Sequence, residues 1–221
     1  MVEHVDDLEA FLRALDIGPA HLVGHSYGAF VALLLAQRTP QRVRTLVLAE
    51  PPVVTLFVSN PPKPLELLSL LLRRPRTAAA IVRFGATGIG PATAAARRGD
   101  LEAATRISGQ AILGKQFYQR LSSARLDQVA ANAFEAEFLG SGFPPVSDAA
   151  LRGVQIPTLL LNGQHSPALF HRVLDRLEEL LPETDRVEIP GASHILHEDD
   201  PATYHAAVRS FLASHGAGRE A

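Results

Sequence analysis

Cysteine is absent from the 221 residues. That excludes a disulfide framework, a thiolate nucleophile and a cysteine-ligated metal. No apolar run reaches the roughly 20 residues that would cross a bilayer as a helix, although 47% of the chain is apolar. An excess of basic charge is also missing. Lys and Arg number 21 against 23 Asp and Glu, whereas a duplex-binding protein usually carries a basic stripe. Lysine itself is scarce, with 2 Lys beside 19 Arg, which reads as coding bias. The start, MVEHVDDLEAFL, lacks a basic n-region and a small-residue cleavage site, so it reads as neither signal nor transit peptide. The expectation is a cytoplasmic globular protein, one domain long or one domain with an insertion, and long enough for a real core.

What is there alternates. Val5, Leu8, Phe11, Leu12 and Leu15 have helical spacing within 1–17, and Gly18-Pro19 stops that helix. AHLVGH (20–25) reads as a buried strand, GAFVALLLAQR (28–38) as a buried helix, and RTLVLAE (44–50) as a second strand closed by Pro51-Pro52. After a stretch of different texture, strand IPTLLLNG (156–163), helix 168–181, strand DRVEIPG (185–191) and a helix from Pro201 to about 214 follow. Four strands separated by helices predict an α/β fold, a parallel sheet flanked by helices. Their unbroken apolar character fits burial on both faces. Residues 51–150 hold PPKP, RRPR, an Ala-rich stretch and helical patterns at 99–113 and 128–139. They read as a helical cap or lid inserted between the second and third strands, leaving 1–50 and 151–221 as the core.

The sharpest motif is Gly24-His25-Ser26-Tyr27-Gly28, a G-x-S-x-G between a strand and a buried helix. Such a turn lifts the serine hydroxyl above the sheet, with φ > 0, next to a helix N-terminus. Its glycines remove side chains that would collide with strand and helix. The Tyr27 amide would point at a developing oxyanion. The plainer reading is a Gly/Ser turn arising by chance, which the strand–turn–helix setting disfavours.

On these residues the chain resembles the α/β-hydrolase superfamily, over about 1–50 and 151–215, with the middle corresponding to the family's variable cap. The resemblance implies a serine hydrolase acting on an ester-like or related acyl substrate through an acyl-enzyme, with a small-molecule substrate, no nucleic acid, no membrane span, no cofactor and no metal. Pro190-Gly191-Ala192-Ser193-His194 resembles the family's final motif, which makes His194 the general base, against the alternative of an ordinary loop histidine. A metal pair of His194 with His197 lacks a ligand-rich partner motif. The family acid usually follows the strand at 156–163, where this chain has Asn162-Gly163-Gln164-His165-Ser166-Pro167, with Ser166 at the acid's place. Glu50, at the end of the preceding strand, is the substitute and keeps the order Ser26…Glu50…His194. Its plainer reading is a solvated loop carboxylate or a cap contact. Asp148 and Asp175 are weaker, and Asp199 and Asp200 read as N-caps of the last helix.

The remaining signals have bland readings. Gly85-Ala86-Thr87-Gly88-Ile89-Gly90 reads as a cap loop, and Arg73-Arg74-Pro75-Arg76 as a solvated face. Leu67, Leu68, Leu70, Leu71 and Leu72 read as cap packing, and Phe57, Phe117, Phe134, Phe138 and Phe143 as core first, pocket second.

The resemblance also implies strands, a helix and a loop with a second oxyanion donor ahead of the helix at 2–17. His4 and Gly18 cannot serve, since they lie in that helix and at its end. The expectation is a chain shortened to the C-terminal part of the fold. Loss of one such donor costs about 10²–10³ in rate. Strand 20–25 would then have a bare edge, open to aggregation or pairing, and a self-pairing homodimer through that edge is the alternative. A catalytically weak remnant and a cofactor-free perhydrolase or haloperoxidase are the competing functions. An epoxide or haloalkane hydrolase is disfavoured, because those relatives place Asp at the elbow.

Overall fold

A computed structural model describes residues 1–129 and 142–216. The strands are β1 (Ala20–His25), β2 (Val43–Ala49), β3 (Thr158–Gly163) and β4 (Thr184–Ile189). They form one sheet in the order β1-β2-β3-β4, every neighbouring pair parallel. The chain belongs to the α/β class that the strand–helix alternation predicts, and each expected strand is present to within two residues at either end.

Helices α1 (Val2–Ala14), α2 (Tyr27–Arg38) and α9 (Ala168–Leu180) share one packing cluster with the sheet. α2 is apolar nearly all round, and Phe30, Leu33 and Leu35 are fully buried. α9 is amphipathic and buries Leu169, Phe170, Val173, Leu174 and Leu177. Helix α10 (Pro201–Gly216) covers the opposite face, where Tyr204, Val208 and Phe211 meet Val47, Leu159 and Leu161. Neighbouring strand residues thus serve opposite layers: Leu160 belongs to the first cluster, Leu159 and Leu161 to the second. Burial on both faces explains why β2 and β3 read as unbroken apolar runs.

The apolar spacing of α1 is only half used. Val5 and Leu12 are buried and Leu8 packs beside them, but Phe11 and Leu15 are exposed. Arg38 on α2 holds α1 instead through Asp6 at 2.5 Å and Glu9 at 2.6 Å. β1 ends the sheet order, and on it His21 and Val23 are exposed.

Between β2 and β3 the described chain is helical: α3 (Pro64–Arg73), α4 (Pro75–Phe84), α5 (Gly90–Arg97), α6 (Leu101–Leu113), α7 (Lys115–Tyr118) and α8 (Asp148–Arg152). The expected helix at 128–139, with Phe134 and Phe138, falls almost wholly outside the described residues.

Three readings of this block are corrected. The glycine-rich run is not a loop. Gly85–Ile89 forms a wide helical turn joining α4 to α5, with the Gly90 amide donating to the Gly85 carbonyl. Gly88 serves packing, since a Cβ there would lie 2.5 Å from the Ala111 Cβ. Arg74 does not simply face solvent. It forks onto Glu179 of α9 at 3.0 and 2.7 Å, and this pairing holds the Glu179 carboxyl down at a pKa of about 2. The leucines of α3 divide as well: Leu70 is buried and Leu67 packs on the core, while Leu68, Leu71 and Leu72 are exposed.

Leu160 sits in β3, one of the two inner strands, with no exposed surface. Leu160→Ala should destabilise the fold by about 2–5 kcal/mol through lost transfer energy and an unfilled cavity. Urea unfolding of both proteins measures this.

Candidate active site

Parallel strands bring all their C-terminal ends to one edge of the sheet, and the loops there converge. Ser26 follows β1, Glu50 follows β2, Gly163 ends β3, and His194 lies in the loop after β4. The sequence alternation therefore brings together residues up to 168 positions apart.

Ser26 occupies the turn between β1 and α2 at φ 49°. Its amide donates to the Ala49 carbonyl at 2.8 Å, and its carbonyl accepts from the Phe30 amide at 3.2 Å. The bend depends on Gly24, where a Cβ would fall 2.6 Å from the Ala29 backbone. The second motif glycine does not act this way. A Cβ on Gly28 meets open space. Tyr27 opens α2, and its hydroxyl bonds His4 Nδ1 at 2.9 Å, tying α1 to the elbow.

Glu50 is fully buried, also at φ 49°. One carboxylate oxygen accepts the Gly163 amide at 2.8 Å, and the other lies 2.5 Å from His194 Nδ1. A buried carboxylate is costly unless its oxygens are bonded, and here each has a partner. The solvated-carboxylate reading of Glu50 is excluded by its burial. Ser166, at the place where the acid was first sought, is buried with a hydroxyl that has no partner among the described residues.

Four further contacts fix the His194 loop, and sequence reasoning did not find them. His25 Nε2 donates to the His194 carbonyl at 2.7 Å. Phe170 of α9 stacks on the imidazole, 4.3 Å between centroids at 27°. Asp199 accepts the Ser193 amide at 2.7 Å and the Ser193 hydroxyl at 2.6 Å. It therefore pins this loop; the N-cap role expected of it falls to Asp200 alone, which accepts the Thr203 amide at 3.0 Å. Gly163 lets the loop approach, since a Cβ there would sit 2.3 Å from the Ser193 carbonyl oxygen. The signal for Gly163 was a glycine at the strand end in Leu-Asn-Gly; His25 was visible only as an elbow residue.

Three imidazoles gather here. The His25 ring lies 4.7 Å from those of both His194 and His197. Burial first, and then these two neighbours, push the His25 pKa well below the ordinary imidazole value. Burial also lowers that of His197. Among the described residues no group of three His, Cys, Asp or Glu could hold a metal ion.

Ser26 and His194 open onto one cavity of about 490 Å³. Ile81 and Phe84 of α4 and Leu169 and Phe170 of α9 form part of its wall.

A serine at a strand-to-helix bend thus shares a cavity with a carboxylate-bonded imidazole. The chain matches the family model described as the alpha/beta hydrolase fold over residues 1–201 and belongs to that family. It is similar to the 2-(acetamidomethylene)succinate hydrolase of Mesorhizobium japonicum, 28% identical over 95% of this chain and 70% of the relative. It is also similar to the mouse (Mus musculus) sn-1-specific diacylglycerol lipase ABHD11, 27% identical over 94% of this chain and 63% of the relative. The crystal structure of carboxylesterase CesB (YbfK) from Bacillus subtilis shares the fold, with a TM-score of 0.62 at 20% identity, covering 94% of this chain and 64% of that one. The chain thus spans roughly two thirds of the length of these proteins.

The depressed His25 pKa has a sign. The native state excludes a proton that the unfolded chain takes up near pH 6.5. Stability from neutral His25 is full above that pH and is lost as pH falls below it. The Tm should drop on going from about pH 7.5 to 5.5, and His25→Gln, which retains a donor, should flatten the drop. Thermal melts of both proteins across this range provide the check.

Proposed function

We propose that the protein is a serine hydrolase that cleaves a carboxylic ester or related acyl compound through an acyl-enzyme. Ser26 Oγ attacks the acyl carbon while His194 Nε2 takes its proton. Negative charge gathers on the former carbonyl oxygen, and the Tyr27 amide in the first turn of α2 donates to it. The tetrahedral adduct collapses, the carbon–leaving-group bond breaks, and His194 returns the proton to the departing alcohol. Water then attacks the acyl-Ser26 ester with His194 again as base, and the acid leaves. Glu50 holds the imidazole tautomer and stabilises its cation without taking the proton itself. The helical block at 51–150 acts as a cap that shapes the pocket, and the enzyme works in the cytoplasm.

The observation that carries this reading is the buried Glu50–His194 pair at 2.5 Å beside a cavity that Ser26 also lines. The hydrolase and lipase names of the relatives agree with it. A fluorophosphonate probe should label the wild-type chain and fail on Ser26→Ala. Glu50→Gln should lower the rate with a p-nitrophenyl ester by about 10²–10⁴-fold. Well-folded protein that takes no label would instead be a binding module.

A second copy of the chain is the proposed protein partner, paired along β1. The support is the terminal place of β1 in the sheet and Val23 standing 48% exposed on it. Light scattering should give the mass of a dimer, and Val23→Lys should reduce it to that of a monomer. A monomer in both cases would refute the pairing.

A further inference from the structure

The cavity beside Ser26 is walled by aliphatic and aromatic side chains: Val58, Ile81, Ile89, Ile112, Phe143 and Leu169. Besides His194, its polar side chains among the described residues are uncharged: the hydroxyls of Ser26, Thr55, Ser59 and Thr93 and the amide of Asn60. The Thr55 hydroxyl donates to the Pro144 carbonyl at 2.9 Å, and the single Ser59 hydroxyl proton is shared between the Pro61 carbonyl at 2.8 Å and Glu66 Oε2 at 2.7 Å. No Lys or Arg lines the cavity among the described residues. Residues 130–141, which precede the lining residues Gly142 and Phe143, read AANAFEAEFLGS and contain no cationic side chain. The charge nearest the imidazole is negative, the buried Glu50 carboxylate.

We infer that this pocket selects uncharged, apolar acyl compounds of small to medium size and rejects those that carry a carboxylate. The inference rests on the hydrolase reading of the site and specifies its substrate. The physics is desolvation. A carboxylate entering this cavity gives up its water and gains no cation, so its burial is unpaid by any ion pair. An isopropyl group of the same shape gains from the same burial. The volume of about 490 Å³ lies within the roughly 300–1,000 Å³ usual for small-molecule sites. Thr93 marks the place where a cation could be introduced, because it is half-buried on α5 at the cavity wall and outside the triad.

An isosteric pair isolates the charge. N-phenyl-4-methylpentanamide and N-phenylsuccinamate differ only in a terminal isopropyl group against a terminal carboxylate. Titrated calorimetrically into the full 221-residue chain near pH 7.5, the neutral anilide should bind at least about 100-fold more tightly. Thr93→Arg should narrow that ratio at least about tenfold. Equal affinities, tighter binding of the succinamate, or binding of neither compound would overturn the inference. The same chain is then given methyl 4-methylpentanoate and monomethyl succinate, with acid release followed by pH-stat. Preferred binding of the neutral anilide without turnover of either ester would defeat the hydrolase reading and leave the pocket's preference standing. Turnover of both esters at similar rates would defeat the preference and leave the hydrolase reading standing.

Discussion

A buried carboxylate bonded to a buried imidazole is the interaction around which this molecule is arranged. Glu50 and His194 come from loops 144 positions apart and meet at 2.5 Å with almost no exposed surface. Away from water a lone carboxylate would be strongly disfavoured. The pair persists because the Gly163 amide satisfies the second carboxylate oxygen. The ring itself is clamped by Phe170 on one face, and its backbone is held by His25. Removing any one of these partners leaves a buried polar group or an unsupported ring, so the cluster behaves as a unit.

The parallel sheet is what makes such a cluster possible. Every strand delivers its following residue to the same edge, so one serine, one carboxylate and one histidine converge from three separate loops. Close approach of those loops needs missing side chains. Gly24 removes one beneath the serine turn, and Gly163 removes one beneath the histidine loop. Two residues of the candidate site, Ser26 and Glu50, sit at φ 49° although neither is glycine. Backbone strain of this kind costs on the order of 1–3 kcal/mol per residue and persists where surrounding structure over-determines it. Here the packed layers of α2 and α9 supply that determination.

The chain's alphabet made the layers and the members of the candidate site legible, because apolar periodicity and strand–turn–helix punctuation are local signals. Strand 20–25 has the expected bounds, and strand 156–163 and helix 168–181 needed only shifts of two and one residues at one end. Glu50 was legible from its place at a strand end, but its burial was not, since that depends on Gly163 arriving from another strand. The role of Asp199 was misread for a related reason. An acid before a proline signals a cap, yet tertiary folding brought the Ser193 loop to it first. The glycine run at 85–90 misled because glycine usually breaks helices. In this chain the demand for close approach between Gly88 and Ala111 outweighed that propensity.

The Glu50–His194 bond is open to direct observation by proton NMR of the chain with its histidines labelled with nitrogen-15. An Nδ1 proton shared with a buried carboxylate resonates far downfield of the amide envelope. The account predicts one such resonance, assigned to His194, retained in Ser26→Ala and lost in Glu50→Gln. Absence of that signal in the folded protein, or its survival in Glu50→Gln, would contradict the arrangement on which the site is built.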